Sequence, residues 1–345
     1  MQEKKRFPLS AGILGYTIII FLIVVPAPAL SGGPVRLTDD DNDGIWDLRE
    51  DNLMNRFAPV VYLHPDERYK PAGVDWYLTR VELVYDNEVL LTLGNVTVSA
   101  LVSQEKDGKY SGEGTDVTKF RLQHTGDYSF QAWTRDGYFS YADQVNIKSP
   151  CYVHVRPVQD HPELIDIQYW FFYPYNGPTE SSAGLNHAEY EGDWEHITVR
   201  VRDSDESVIQ VHFARHSQGW CKWYDPSDVT FIDETHPVVY SALHSHASYT
   251  DVGDFSRYWP LTNDQTSDGG SVWDTRGKCY NMGEHDAPNP GMEWIRYTGK
   301  WGRDSHVWYP PYTFHAPETP ALKEVWTDDP PDPVNHHQEV PDVNY

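Results

Sequence analysis

From Phe57 onward the chain is organised by short apolar and alternating runs rather than long amphipathic stretches. APVVYL, YLTRVELVY, VLLTLGNVTVSAL, YSFQAW, CYVHVRPV, IDIQYWFFYPY, HITVRV, VIQVHFARH, WCKWY, VTFI and HPVVYSAL follow one another, with Gly, Pro, Asp and Asn between them. Side chains on a strand alternate between two faces, so each run suits a strand with at least one buried face. Strand after strand without helical periods between them predicts an all-β or mainly β fold, an antiparallel sandwich or partly closed barrel with long irregular loops. Residues 103–127 are polar and Gly-rich and suit an inserted loop or a weak domain boundary. The alternation fades after residue 250, and the prolines of 316–345 oppose regular structure. The pattern therefore delimits one large β-rich domain at 57–315 and a Pro/Asp-rich C-terminal tail at 316–345.

The N-terminus follows a different rule. MQEKKR is basic, and AGILGYTIIIFLIVVPAPAL at 11–30 is apolar and ends in small residues and prolines. That order predicts a signal peptide or an N-terminal membrane anchor over 1–30, with 31–56 as a linker, and hence an extracytoplasmic, secreted or membrane-anchored domain. The chain carries 27 Lys+Arg against 52 Asp+Glu, a formal charge of −25. Loss of the first 30 residues removes three bases and one acid and takes the charge to −27. Such a strongly acidic protein repels phosphate backbones, which excludes nucleic acid as a partner. The three cysteines, Cys151, Cys221 and Cys279, allow at most one internal disulfide, and none has the close spacing of a zinc knuckle.

DDDNDGIWDLRE fits a twelve-residue calcium loop: Asp39, Asp41, Asp43, Gly44, Ile45, Asp47 and Glu50 take positions 1, 3, 5, 6, 7, 9 and 12. Alternate carboxylates point inward around a hard cation, Gly44 permits the reversal, Ile45 offers its carbonyl and Glu50 closes the shell. The loop is similar to those of the thrombospondin type 3, dockerin and EF-hand-like families. SGGPVRLT before it reads as turn-like rather than as an incoming helix, and the sequence shows no paired loop, so the expectation is one structural Ca²⁺ with little effect on the distant sandwich.

EGDWEHITVRV runs from acids into apolar alternation. On one strand Asp193 and Glu195 share a face with Ile197, Val199 and Val201, while Trp194, His196, Thr198 and Arg200 share the other. The acids thus stand in line with the inward side, and His196 is read as a surface or hydrogen-bonding residue on the polar side. His244 and His246, two apart in HPVVYSALHSHASY, present their rings to one side if they lie on a strand. With Asp193 or Glu195 they compose a 2-His-1-carboxylate set for a second, transition metal, which would serve a metal-dependent hydrolase or oxygenase. The same four residues serve equally well as a buried polar network. Ser245 is outside any nucleophile elbow, and no phosphate-binding Gly loop occurs.

Trp220, Trp223, Trp294 and Trp301 lie in Gly-containing, loop-like surroundings, where flat faces stack on sugars or anchor a protein. The leading expectation is a calcium-stabilised domain with an adhesive, scaffolding or ligand-binding role toward an extracellular glycan or protein. The second is the metal-dependent enzyme.

FAPVVYLHPDERYKPAGVDWYL, EYEGDWEHITVRV, HFARHSQGWCKW, HPVVYSALHSHASY and the stretch from DGGSVWDT to EWIRYTGKWG, spread in order over 57–302, resemble the blocks of the Vps62 family. The family is named for a fungal vacuolar protein-sorting factor, and its plant members were once classed as a domain of unknown function. The resemblance implies one β-rich domain and points to Trp194, Glu195, His196, His216, His244, Ser245, His246, Trp273, Asp274, Trp301 and Gly302.

Overall fold

Six strands form the central sheet, in the order Lys222–Tyr224, Val208–Phe213, Tyr190–Arg202, His161–Asn176, Cys151–Val158 and Cys279–Asn281. The computed structural model describes residues 38–112, 114–124, 148–180, 186–187, 189–216, 221–258, 262–307 and 312–327. The apolar N-terminal run and the predicted strand YSFQAW lie outside these. Among the described residues no helix is long and apolar enough to cross a membrane.

A second, five-stranded sheet contains Val60–Leu63, Phe231–Ile232, His236–Ser241, Ser248–Tyr249 and Val272–Asp274. The protein is mainly β, and among the described residues no sheet closes into a barrel. Most pairings are antiparallel, but Val60–Leu63 pairs in parallel with His236–Ser241, and Cys279–Asn281 with Cys151–Val158. Val61, Leu63, Val239 and Trp273 of the smaller sheet share one core with Val153, Ile167, Phe171, Ile197, Val199 and Phe213 of the larger. This is the sandwich interior, filled by alternate residues of each strand.

The other face of the six-stranded sheet is also covered. Tyr152, Trp170, Phe172 and Trp194 pack against Tyr77, Leu78, Trp294, Trp301 and Trp326 in a second, aromatic core. Trp194 and Trp294 stack at 5.3 Å, and Trp301 meets Trp194 edge-on at 5.3 Å. The side of the Tyr190–Arg202 strand that sequence parity makes polar is therefore buried too. His196 stacks on Trp170 at 4.4 Å rather than facing water, and burial pushes its pKa well down. Arg200 is held by both oxygens of Asp166, at 2.7 and 2.8 Å.

Two helices depart from the strand pattern. DWYL belongs to helix α2 (Val74–Leu78), and the run VLLTLGNVTVSAL divides into the strand Glu88–Leu91 and helix α3 (Val98–Asp107). Thr97 caps α3 by accepting a hydrogen bond from the Ala100 amide at 3.1 Å, and Ser, Ala, Gln, Glu and Lys continue it. The tail begins inside the domain, since Trp326 is buried and stacks on His154 at 3.7 Å.

Gly192 adopts φ +66°, and a Cβ there would stand 2.4 Å from the Trp301 carbonyl oxygen. Gly302 makes the same approach from the other side, with its Cβ position 2.0 Å from the Glu191 carbonyl oxygen. Gly192→Ala is expected to cost at least the ~1–2 kcal/mol of a left-handed L residue, with the backbone clash in addition. A lowered denaturant midpoint at unchanged slope would report it.

Candidate functional site

The sandwich face of the Tyr190–Arg202 strand ends in acids, and there the structure assembles a buried charged cluster. Asp193 stands opposite Tyr173 in the register and Glu195 opposite Phe171. The Asp193 carboxylate meets His246 Nδ1 at 2.8 Å and accepts from Tyr190 Oη at 3.0 Å. The His246 ring is stacked on Tyr173, with centroids 3.8 Å apart and planes 4° apart. Its other nitrogen lies 3.6 Å from Glu67, whose carboxylate also accepts from the Tyr69 and His244 amides at 2.7 and 2.6 Å.

Two carboxylates thus flank one imidazole with almost no access to water. Burial opposes the charge on His246, yet Glu67 and Asp193 hold its pKa up at about 9. Burial likewise opposes the charge on Glu67, but His246 and the His244 amide keep its pKa below the ordinary carboxylate value. Glu195 is different: burial first, and Asp193 second, push its pKa well up, so it favours the neutral acid. The charged form of His246 contributes stability below its ordinary pKa of 6.5, and that contribution is lost as pH rises through about 9. The thermal midpoint of the protein is therefore expected to exceed that of His246→Gln most below about pH 6.5. The gap should narrow as pH rises from about 6.5 through about 9; a gap independent of pH would contradict a charged His246.

The two histidines do not face one way. The strand His236–Ser241 ends before them, and His244 and His246 sit in a turn with φ +66° and +57°. His244 Nδ1 is hydrogen-bonded to the Pro178 carbonyl at 2.7 Å while His246 turns to Asp193. The 2-His-1-carboxylate set expected from strand parity is thereby corrected, since strand geometry stops three residues before the first ring. His216 joins a neighbouring cluster in which Asp264 accepts from Ser245 Oγ and Tyr249 Oη, both at 2.8 Å, with His216 Nε2 at 2.5 Å. Ser245 bonds the acid and not a histidine, which is a clamp rather than a nucleophile–base pair. Glu67 and Asp264 were missed by sequence reasoning. Both lie in polar stretches, HPDERY and TNDQT, that carry no periodic signal.

Trp223, Trp294 and Trp301 are buried, and their faces meet other protein rings. This corrects the loop-platform reading for these three: the Gly residues beside Trp301 admit close backbone approach rather than exposing the ring. Trp220 lies outside the described residues.

A second centre forms at the acidic loop. Asp39 Oδ2 accepts from the Gly44 amide at 3.1 Å, Asp43 Oδ1 from Ile45 at 2.6 Å and Asp47 Oδ1 from Asp40 at 2.9 Å. These bonds, with Asn42 at φ +63° and Gly44 at +94°, wind the loop so that its acids converge. Ligand oxygens of Asp39, Asp41 and Asp43 lie within 4.8 Å of one another, as do those of Asp41, Asp47 and Glu50. Asp39 Oδ1, Asp41 Oδ1, Asp43 Oδ2 and Glu50 Oε1 are buried without a hydrogen-bond donor. Burial, reinforced by neighbouring acids, pushes Asp41 up to about 6, Asp43 to about 7 and Glu50 to about 9. Helix α1 (Asp47–Arg56) then carries Leu53 and Met54 into the sandwich core, where Ile45 joins them. The loop is thus continuous with the domain and not a separate tether, which corrects the expectation of little coupling to the sandwich.

The fold and its buried centres define a mainly β sandwich with a carboxylate-rich loop built into it. The family described as Vacuolar protein sorting-associated protein 62 matches residues 48–304, and the chain belongs to that Vps62 family, as the blocks at 57–302 imply. Vacuolar protein sorting-associated protein 62 of Saccharomyces cerevisiae is 26% identical over 282 residues, covering 71% of this chain and 58% of its own length. The yeast Putative vacuolar protein sorting-associated protein TDA6 is 23% identical over 284 residues, with the same two coverages. The chain therefore spans 58% of the length of these curated relatives. Among solved structures, Necrosis and Ethylene inducing Protein 2 from the causal agent of cocoa's Witches Broom disease aligns with TM-score 0.33 and 14% identity, over 70% of this chain and 78% of that one. NLPPya in complex with mannosamine aligns with TM-score 0.35 and 13% identity, over 72% and 79%.

Proposed function

We propose that the chain is an extracytoplasmic, calcium-stabilised β-domain whose role is ligand binding or scaffolding toward a glycan or protein partner. The observation that carries the reading is the convergence of five loop carboxylates, four oxygens of which are buried with no donor. Protein groups alone leave like charges facing one another there, and a hard divalent cation with oxygen ligands supplies the missing partner. Asp39, Asp41, Asp43, Asp47 and Glu50 would hold it, with the Ile45 carbonyl completing the loop. Extracellular modules use calcium loops of this kind, and the basic-then-apolar N-terminus is in keeping with that location.

The scaffold role is favoured over metal catalysis by what the histidines do. His246 is engaged by carboxylates on both sides and His244 by a backbone carbonyl. Fractionation of the full chain with intact-mass measurement tests the location: an extracytoplasmic product, cleaved or anchored, is expected, and a soluble full-length cytoplasmic product would overturn it. Calcium-loaded protein is further expected to bind an immobilised glycan or surface protein. Blank arrays of common polysaccharides, with and without calcium, would remove the carbohydrate form of the reading.

A further inference from the structure

The three cysteines occupy the six-stranded sheet unequally. Cys279 and Cys151 are direct partners in the parallel pairing of the edge strand Cys279–Asn281 with Cys151–Val158, and the Cys151 amide donates to the Lys278 carbonyl at 2.9 Å. Directly paired residues on neighbouring strands stand about 4.8 Å apart, inside the roughly 4.4–6.8 Å window of Cα separations that a disulfide bridges. Each sulfur meets a backbone carbonyl, Cys151 Sγ that of Trp170 at 3.9 Å and Cys279 Sγ that of Thr275 at 3.5 Å, contacts a disulfide would replace. Cys221 adjoins Lys222–Tyr224 at the opposite edge of the same sheet, five strand steps from Cys279, or about 24 Å. Its sulfur is engaged with the Arg215 amide and carbonyl, at 3.4 and 3.7 Å.

We infer that Cys151 and Cys279 form the single intramolecular disulfide of this protein, pinning the edge strand beneath helix α1, and that Cys221 remains a thiol. Cys279 is the more accessible of the pair, Cys151 being fully buried. As a thiolate Cys279 attacks a disulfide oxidant such as oxidised glutathione, expelling one glutathione thiolate and forming a mixed disulfide. The Cys151 sulfur then attacks the Cys279 sulfur and expels the second. One S–S bond forms in the protein and one breaks in the oxidant, which takes up two electrons, and the two cysteine thiol protons pass to the two expelled glutathione thiolates. The cross-link secures the strand that neighbours helix α1, whose first turn carries Glu50 of the acidic loop, so it holds the loop and the sheet edge in fixed relation. That oxidation takes place in the cell rests on the extracytoplasmic reading; the choice of partners does not.

The test has two arms. The full chain is isolated from cells without reductant, denatured, alkylated and mapped; separately, fully reduced protein is refolded in a glutathione redox buffer and treated alike. The inference expects one alkylated cysteine, Cys221, and a Cys151–Cys279 cross-linked peptide in both arms, with Cys221→Ser giving the same cross-link and none alkylated. A cross-link in the refolded arm beside three alkylated cysteines from cells supports the pairing and overturns the location. Three alkylated cysteines after refolding, or a cross-link that includes Cys221, overturns the pairing.

Discussion

Glu67→Ala is expected to lower the unfolding free energy by about 3–5 kcal/mol, the cost of stranding a buried charge after its partner is removed. Glu67 accepts from two backbone amides and faces an imidazole that has almost no contact with water. Its loss leaves the Tyr69 and His244 amides without their acceptor and His246 with Asp193 alone. Because His244 and His246 are held at positive φ in the turn that follows the His236–Ser241 strand, the same change loosens the connection between the two sheets. Arg276→Ala serves as a control. Arg276 pairs with Asp233 and Asp274 on the surface, where solvent screens the charges, so its removal is expected to cost no more than about 1 kcal/mol. Equal effects from the two variants in denaturant unfolding would refute the buried ion cluster.

Calcium is expected to raise the thermal midpoint of chelator-treated protein substantially. A ligand present at 100 times its dissociation constant stabilises the native state by about 2.7 kcal/mol. The gain should belong to the whole cooperative unit, because Ile45, Leu53 and Met54 link the loop and α1 to the sandwich interior. The combined Asp41→Ala, Asp43→Ala variant should respond to chelator and calcium alike. Without metal it should be at least as stable as the parent, since it lacks two of the crowded carboxylates. A variant that is much weaker than the chelated parent would mean that these acids serve a purely structural hydrogen-bonding role.

Much of the sandwich was readable because alternation reports burial directly. The parity of residues 193–201 placed Ile197, Val199 and Val201 in the core and Asp193 and Glu195 at its end, as the structure has them. The twelve-residue spacing of the acidic loop was readable for the same reason: local spacing determines which side chains converge. The second, aromatic core was not readable. A strand buried on both sides carries polar residues such as His196 and Arg200 whenever Trp170 or Asp166 waits across the sheet, and that pairing is a matter of tertiary contact. The same holds for Glu67, which follows the Val60–Leu63 strand, and Asp264, which lies in the strand Thr262–Thr266; both come from segments far away in sequence. His244 and His246 misled because periodicity cannot show where a strand stops, and Thr97 with its capping bond turned a β-branched run into a helix.

Calcium binding at the Asp39–Glu50 loop is tested most directly by calorimetric titration of chelator-stripped full-length protein with calcium. One binding event per chain is predicted for the parent, and none for the Asp41→Ala, Asp43→Ala variant. Absence of binding in the folded parent, or binding that survives unchanged in the variant, would contradict it.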